Sequence, residues 1–133
     1  MNLDEAIERH MEWKVVFRAA LEGRQTVDAA TIRRDNCCAL GKWLHGEGAA
    51  RYGRKASFAE LLTSHETFHR EAGKVAEAIN ARDYAGAEKM LGVWGEYMDA
   101  SLAVVDAIEA LQMDLGPAAT AVVAAGGAAR VHG

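Results

Sequence analysis

The pentapeptide His65-Glu66-Thr67-Phe68-His69 constrains the fold of this chain more than any other stretch. Its two histidines are four residues apart, so they lie on one face of a helix and can bind one metal ion together. The same face repeats apolar residues at helical spacing, namely Leu61, Phe68, Ala72, Val75 and Ile79. The pattern therefore predicts a helix whose core-facing stripe carries two metal ligands.

Further candidate ligands lie upstream of this helix. His10 falls in a row of apolar residues at three- and four-residue steps, formed by Leu3, Ile7, Phe17 and Leu21. Cys37 and Cys38 are adjacent, and both are candidate thiolate ligands. One thiolate and three imidazoles would complete a tetrahedral zinc shell without room for a substrate water. A filled shell favours a structural or sensing site over a hydrolase.

The letters H-E-x-x-H are also the signature of zinc peptidases, in which the glutamate acts as general base. In that alternative Glu66 would be catalytic and Glu88 could be a third ligand, but Cys38 and His10 would be unexplained. A carboxylate-bridged di-iron bundle would use Glu66 and His69, but it needs a second Glu-x-x-His, which the sequence lacks. We therefore favour a non-catalytic metal-binding module and predict no enzymatic activity.

Composition narrows the class of protein. The chain has 133 residues, half of them hydrophobic and only one of them proline, which favours one all-helical domain with its own core. A formal net charge of −4 makes nucleic acid and anionic membranes improbable partners. The acidic N-terminus lacks the features of a signal peptide, and two adjacent cysteines suit a metal ligand better than a disulfide. We expect a cytoplasmic protein.

Four helical segments are expected within residues 1–114, and the Ala/Gly-rich residues 115–133 are expected to be a disordered tail. Asn2 is the predicted N-cap of the first helix, and a capping box of Ser57 and Glu60 is predicted to begin the metal-binding helix. Cys38 is expected in the first turn of a short helix, where free N–H groups would lower its pKa. The last helix is expected to bury one continuous row: Tyr84, Ala87, Leu91, Trp94, Met98, Leu102, Val105 and Ile108.

Three ordered motifs together resemble a known family. They are the stretches His10-Met11-Glu12-Trp13-Lys14, Cys38-Ala39-Leu40-Gly41-Lys42-Trp43-Leu44-His45-Gly46, and Ser57-Phe58-Ala59-Glu60-Leu61 followed by His65-x-x-Phe68-His69-x-x-Ala72. Over roughly residues 3–112 the chain resembles the chemoreceptor zinc-binding (CZB) domain of bacteria. The resemblance implies an antiparallel four-helix bundle with a short motif helix, in which His10, Cys38, His65 and His69 hold one Zn²⁺ ion. Cys37 lies about 100° around a helix from this motif cysteine, so we interpret it as a spare thiol.

The resemblance also implies a role in signalling. Such domains are attached to chemoreceptors or diguanylate cyclases, commonly form homodimers, and respond to zinc or to oxidants such as hypochlorous acid. Because the chain starts directly before the first bundle helix, we expect its output to pass to such a signalling protein in trans. The small zinc metallopeptidase described above is the alternative function.

Overall fold

The computed structural model describes residues 1–128, with side chains described for residues 1–116, and this part of the chain is helical without strands. It contains seven helices: α1 (Leu3–Gly23), α2 (Ala29–Ile32), α3 (Ala39–Leu44), α4 (Glu47–Tyr52), α5 (Ala56–Asn80), α6 (Tyr84–Met90) and α7 (Glu96–Ala128). The predicted all-α class is confirmed.

The three long helices α1, α5 and α7 form the body of the domain. Gln112 donates to Asp4 at 2.8 Å and the Tyr97 ring lies 5.8 Å from that of Phe17, so α1 and α7 run antiparallel. Ser57 bonds to Asp114 at 2.5 Å, and the Phe68 and Tyr97 rings are 5.6 Å apart, so α5 and α7 are antiparallel too. The core fills the space between them.

The predicted stripe of α5 is confirmed, because all of its apolar residues are buried. The Asn2 cap of α1 is also confirmed, since the Asn2 side chain accepts from the N–H of Glu5 at 3.0 Å. The predicted capping box of α5 is wrong. Helix α5 has Lys55 as its N-cap with no side-chain bond, because the Ser57 hydroxyl donates to Asp114 of α7 instead.

The single last helix expected from the sequence is divided in two. Helix α6 ends at Met90, residues 91–95 form turns and bends, and α7 starts at Glu96. This break shifts the buried face, so that Trp94 is 96% exposed and Leu102 57% exposed. Helix α7 instead buries Tyr97, Ala100, Val104, Ala107, Ile108 and Leu111. Core packing by Trp94, which the periodicity suggested, is wrong.

The backbone of α7 leaves helical geometry at Gly116, with φ +79°, and is helical again as far as Ala128. The boundary at residue 114 and the disordered tail both stay predictions, and residues 129–133 lie outside the described part. Within the described residues, no helix combines the length and the apolar character that crossing a bilayer requires.

Candidate metal centre

Helices α1, α3 and α5 bring the four predicted ligands together. His10 comes from α1, Cys38 from the N-cap of α3, and His65 and His69 from successive turns of α5. Each offers one ligand atom, and these four atoms all lie within 4.8 Å of one another. The histidines are at most 2% exposed, whereas Cys38 is only partly buried.

The ligand atoms of Cys38, His65 and His69 are spaced nearly as in a tetrahedral zinc shell. Cys38 Sγ lies 3.3 Å from His65 Nε2 and 3.6 Å from His69 Nε2, and the two Nε2 atoms are 3.1 Å apart. Tetrahedral zinc with ordinary Zn–N and Zn–S bonds separates its ligand atoms by about 3.3–3.6 Å. The His10 ring completes the cluster, with its centroid 5.1 Å from that of His65 and 6.0 Å from that of His69.

Backbone carbonyls fix two of the imidazoles in the form that binds metal. His10 Nδ1 is 2.9 Å from the carbonyl oxygen of Ala6, and His69 Nδ1 is 2.7 Å from that of Ile32. A carbonyl can only accept, so both Nδ1 atoms carry hydrogen and both Nε2 atoms keep a lone pair. The buried Nε2 of His10 has no hydrogen-bond partner among the described residues, and neither has Nδ1 of His65. A metal ion at the centre of the cluster would satisfy the His10 lone pair.

Burial keeps all three imidazoles neutral at pH 7. Desolvation lowers the pKa of His10 to about 4 and that of His65 to about 2, and it lowers the pKa of His69 as well. In His65 the neighbouring His69 and His10 lower the pKa further. Neutral imidazole is the form that coordinates metal, so the histidines are prepared to bind without releasing protons.

The environment of Cys38 differs from the one predicted. Cys38 is itself the N-cap of α3 rather than a residue of its first turn, and the N–H of Gly41 donates to its Sγ at 3.3 Å. Burial nevertheless raises the pKa of the Cys38 thiol, and the N–H of Gly41 offsets this only in part. The expected low pKa is therefore wrong for the protein without metal. A bound metal ion would supply the positive charge that deprotonates the sulfur.

The rest of the motif helix holds Cys38 in place. A Cβ atom on Gly41 would collide with the backbone carbonyl of Asp35, so only glycine lets this loop pack on α3. The Trp43 ring lies 6.0 Å from the rings of both Tyr52 and Phe58, which joins α3 to α4 and α5. The position of the Cys38 sulfur thus depends on a tight loop and on two aromatic contacts of Trp43.

Other candidate residues lie outside the cluster. Cys37 is separate from it, with Sγ 3.6 Å from Asn36 Oδ1, as expected of a spare thiol. Glu66 is exposed and its carboxylate lies 3.9 Å from Arg70, while Glu88 pairs with Arg18 at 3.1 Å. Neither carboxylate approaches the four ligand atoms. The peptidase alternative therefore lacks its general base near the metal centre.

Sequence reasoning missed the groups that surround the ligands. The carbonyls of Ala6 and Ile32 orient two histidines, but a backbone carbonyl leaves no signature in a sequence. Asp35 and His45 were assigned no role at the metal centre, although their side chains meet at 3.0 Å beside the motif helix. His132, which likewise has no place in the predicted ligand pattern, lies outside the described residues.

Residues 10–76 of the chain match the family model described as the chemoreceptor zinc-binding domain. The match covers half of the chain, starts at His10 and includes Cys38, His65 and His69. Neither the curated proteins nor the solved structures gave a match to this chain.

Proposed function

The chain belongs to the chemoreceptor zinc-binding domain family, and we propose that it senses through one Zn²⁺ ion held by His10, Cys38, His65 and His69. The observation that carries this proposal is the convergence of three buried, neutral imidazoles and one thiol, whose ligand atoms all lie within 4.8 Å of one another. When bound, zinc would supply positive charge that keeps Cys38 deprotonated and links α3 to α1 and α5.

Zinc stoichiometry in protein purified without added metal tests the proposal. We expect one zinc ion per chain in the wild type, and a loss of affinity in His10→Ala and Cys38→Ala. Zinc that binds only the folded chain stabilises it by about 4 kcal/mol at a thousand times its Kd, so both variants should also melt at lower temperature. Cys37→Ala is the matched control and should bind like the wild type. Wild-type affinity in His10→Ala or Cys38→Ala would refute the four-ligand site.

We further propose that the centre responds to oxidants such as hypochlorous acid. Cys38 is the oxidisable ligand, and its partial exposure gives a small oxidant access to the sulfur. The thiolate sulfur takes oxygen from hypochlorous acid and chloride leaves, so that RS⁻ and HOCl give RSOH and Cl⁻. The sulfenic acid has lost the anionic charge of the ligand. Binding then rests on three neutral imidazoles, and the Cys38 segment is released from α5.

Graded hypochlorous acid added to the zinc form of wild type, Cys37→Ser and Cys38→Ser tests this switch. Zinc release is followed with a chromogenic chelator, helicity by circular dichroism, and the oxidised residue by mass spectrometry. We expect equal release kinetics in wild type and Cys37→Ser, with Cys38 as the modified residue. Zinc that stays bound while Cys38 is oxidised would contradict the switch and leave zinc sensing as the function.

The output we propose is of the chemotaxis or cyclic-di-GMP type, read by a chemoreceptor or diguanylate cyclase in the cytoplasm. Family membership supports this signalling output, and it also supports a homodimer. It supports an antiparallel four-helix bundle as well, in which the segment containing α2–α4 supplies the fourth helical element. Light scattering tests the dimer, and a pull-down with zinc-bound and zinc-free protein from the host tests the partner. A monomer that captures no signalling protein in either state would contradict this part of the proposal.

We propose that the chain has no peptidase activity. Glu66 is exposed and directed to Arg70, away from the four ligand atoms. Glu66→Gln should therefore bind zinc normally. Zinc-dependent cleavage of an unstructured substrate that is lost in this variant would favour the peptidase.

A further inference from the structure

The four ligands differ in their exposure to solvent. His10, His65 and His69 are at most 2% exposed and lie between long helices, whereas Cys38 is partly exposed. The Cys38 side is therefore the side on which we expect a zinc ion to enter or leave the cluster. A hydrated ion loses water at each step of this passage, so a side chain that replaces water on the way would lower the barrier.

Asp35 and His45 stand on that side. Their side chains are 24% and 43% exposed respectively, and Asp35 Oδ2 lies 3.0 Å from His45 Nε2. Both also lie beside the segment that carries Cys38. The backbone of Asp35 packs against Gly41, whose N–H donates to Cys38 Sγ at 3.3 Å, and His45 is the C-cap of α3.

We propose that Asp35 and His45 form a transient zinc site, through which the ion passes between solvent and the buried cluster. Carboxylate oxygen and imidazole nitrogen are ordinary zinc ligands, and at 3.0 Å they can bind one ion together. With two protein ligands the remaining positions stay with water, so this site holds zinc weakly and releases it to Cys38 and the α5 histidines. The proposal rests on the proposed function and adds the route of exchange.

Asp35 and His45 lie on either side of the zinc ligand Cys38 in the sequence. Asp35 lies three residues before Cys38, and His45 is the C-cap of the helix that Cys38 caps at its other end. The contact between Asp35 and His45 therefore joins the two ends of the segment that contains Cys38. A second reading follows from this position: the pair could act only by holding the segment in place, and the two readings give opposite kinetics.

Stopped-flow kinetics distinguish the transient site from a merely structural pair. The experiment measures zinc uptake by metal-free protein and zinc release to a chelator. If the pair is a transient site, Asp35→Asn and His45→Gln should slow uptake and release by about tenfold each, with Kd unchanged, because such a site lowers the barrier between the two end states without changing either of them. The double variant should be no slower than either single one, since both residues serve one site. Asp35→Glu keeps a carboxylate and should keep most of the wild-type rate. Glu66→Gln removes an exposed carboxylate beside His65 and should change neither rate.

Faster release with a weakened Kd would overturn the proposal, because that is the effect of loosening the Cys38 segment. Unchanged rates in Asp35→Asn and His45→Gln would overturn it as well. Failure of the proposed function would look different, since the wild type itself would then fail to bind one zinc ion per chain. Circular dichroism of each variant, expected to match the wild type, shows that the fold is intact.

Discussion

The histidine side of the metal centre is built on long helices, whereas the cysteine side is built on a short one. His10 lies within the 21 residues of α1, and His65 and His69 lie within the 25 residues of α5. Cys38 caps α3, which has six residues and packs mainly against the equally short α4. Short helices owe their stability to tertiary contacts rather than to their own hydrogen bonds.

This difference separates binding from response. Helices α1 and α5 hold three neutral imidazoles whatever the state of the sulfur, so the histidine side is a fixed receptor. The cysteine side is held by the Gly41 packing, by the Trp43 contacts and by the metal itself. Loss of zinc should therefore move the cysteine side first, and the following predictions test that division.

Acidification of the metal-free protein should have the largest effect, and it acts on the histidine side. The pKa of His10 falls from 6.5 to about 4 on folding, so below pH 6.5 the unfolded chain binds more protons than the folded chain. The free energy of unfolding is therefore retained above pH 6.5 and falls as the pH drops towards 4. His10 alone accounts for a loss of about 3 kcal/mol. Urea unfolding between pH 7.5 and 4.5 measures the loss.

Replacement of the titrating group is the control for this experiment. His10→Gln should show a smaller loss of unfolding free energy over the same pH range, while Cys37→Ser should follow the wild type. An equal loss in His10→Gln would mean that the acid sensitivity does not arise from His10.

Gly41→Ala should have a smaller effect, confined to the cysteine side. The new methyl group collides with the carbonyl of Asp35, so the loop must move, at a cost of about 1–3 kcal/mol. Zinc affinity should fall, while the helicity of α1, α5 and α7 is retained. Calorimetry and a chelator titration measure the two effects.

Gly23→Ala provides the matched control, since the atoms nearest to its Cβ lie at an ordinary 3.5 Å, in the Gln25 side chain. Its zinc affinity should equal that of the wild type, and its stability should rise by about 0.5–1 kcal/mol because Gly23 is helical. Wild-type zinc binding by Gly41→Ala would show that the cysteine side tolerates displacement. It would contradict the dependence of the Cys38 position on the packing of Gly41.

Trp94→Ala should have the smallest effect, because it touches neither side. At 96% exposure the side chain buries almost nothing, so stability should change by no more than about 0.5 kcal/mol. Zinc affinity should also be unchanged. A loss of 2 kcal/mol in urea unfolding would mean that the turn between α6 and α7 supports the core after all.

The metal-binding stripe of α5 could be predicted from the sequence because burial follows the helical repeat there without interruption. The same reasoning failed after Leu91, where Gly92 and Gly95 interrupt a row that the periodicity carries straight through to Trp94. The prediction of a low pKa for Cys38 failed for another reason. Its helix position favours a thiolate, but burial opposes it, and burial depends on tertiary packing that a local pattern does not show. Local patterns therefore located the ligands, while long-range packing set their chemistry.

The hydrogen bonds from His10 to Ala6 and from His69 to Ile32 affect which residues near the metal centre can vary during evolution. Many metal sites orient histidine with a carboxylate side chain, which a single codon change can delete. Here both acceptors are main-chain oxygens, which every amino acid supplies. The residues at positions 6 and 32 can therefore drift among side chains of compatible volume without disturbing the tautomers of His10 and His69. Selection on the orientation of these ligands acts on the path of the backbone rather than on the identity of a neighbour.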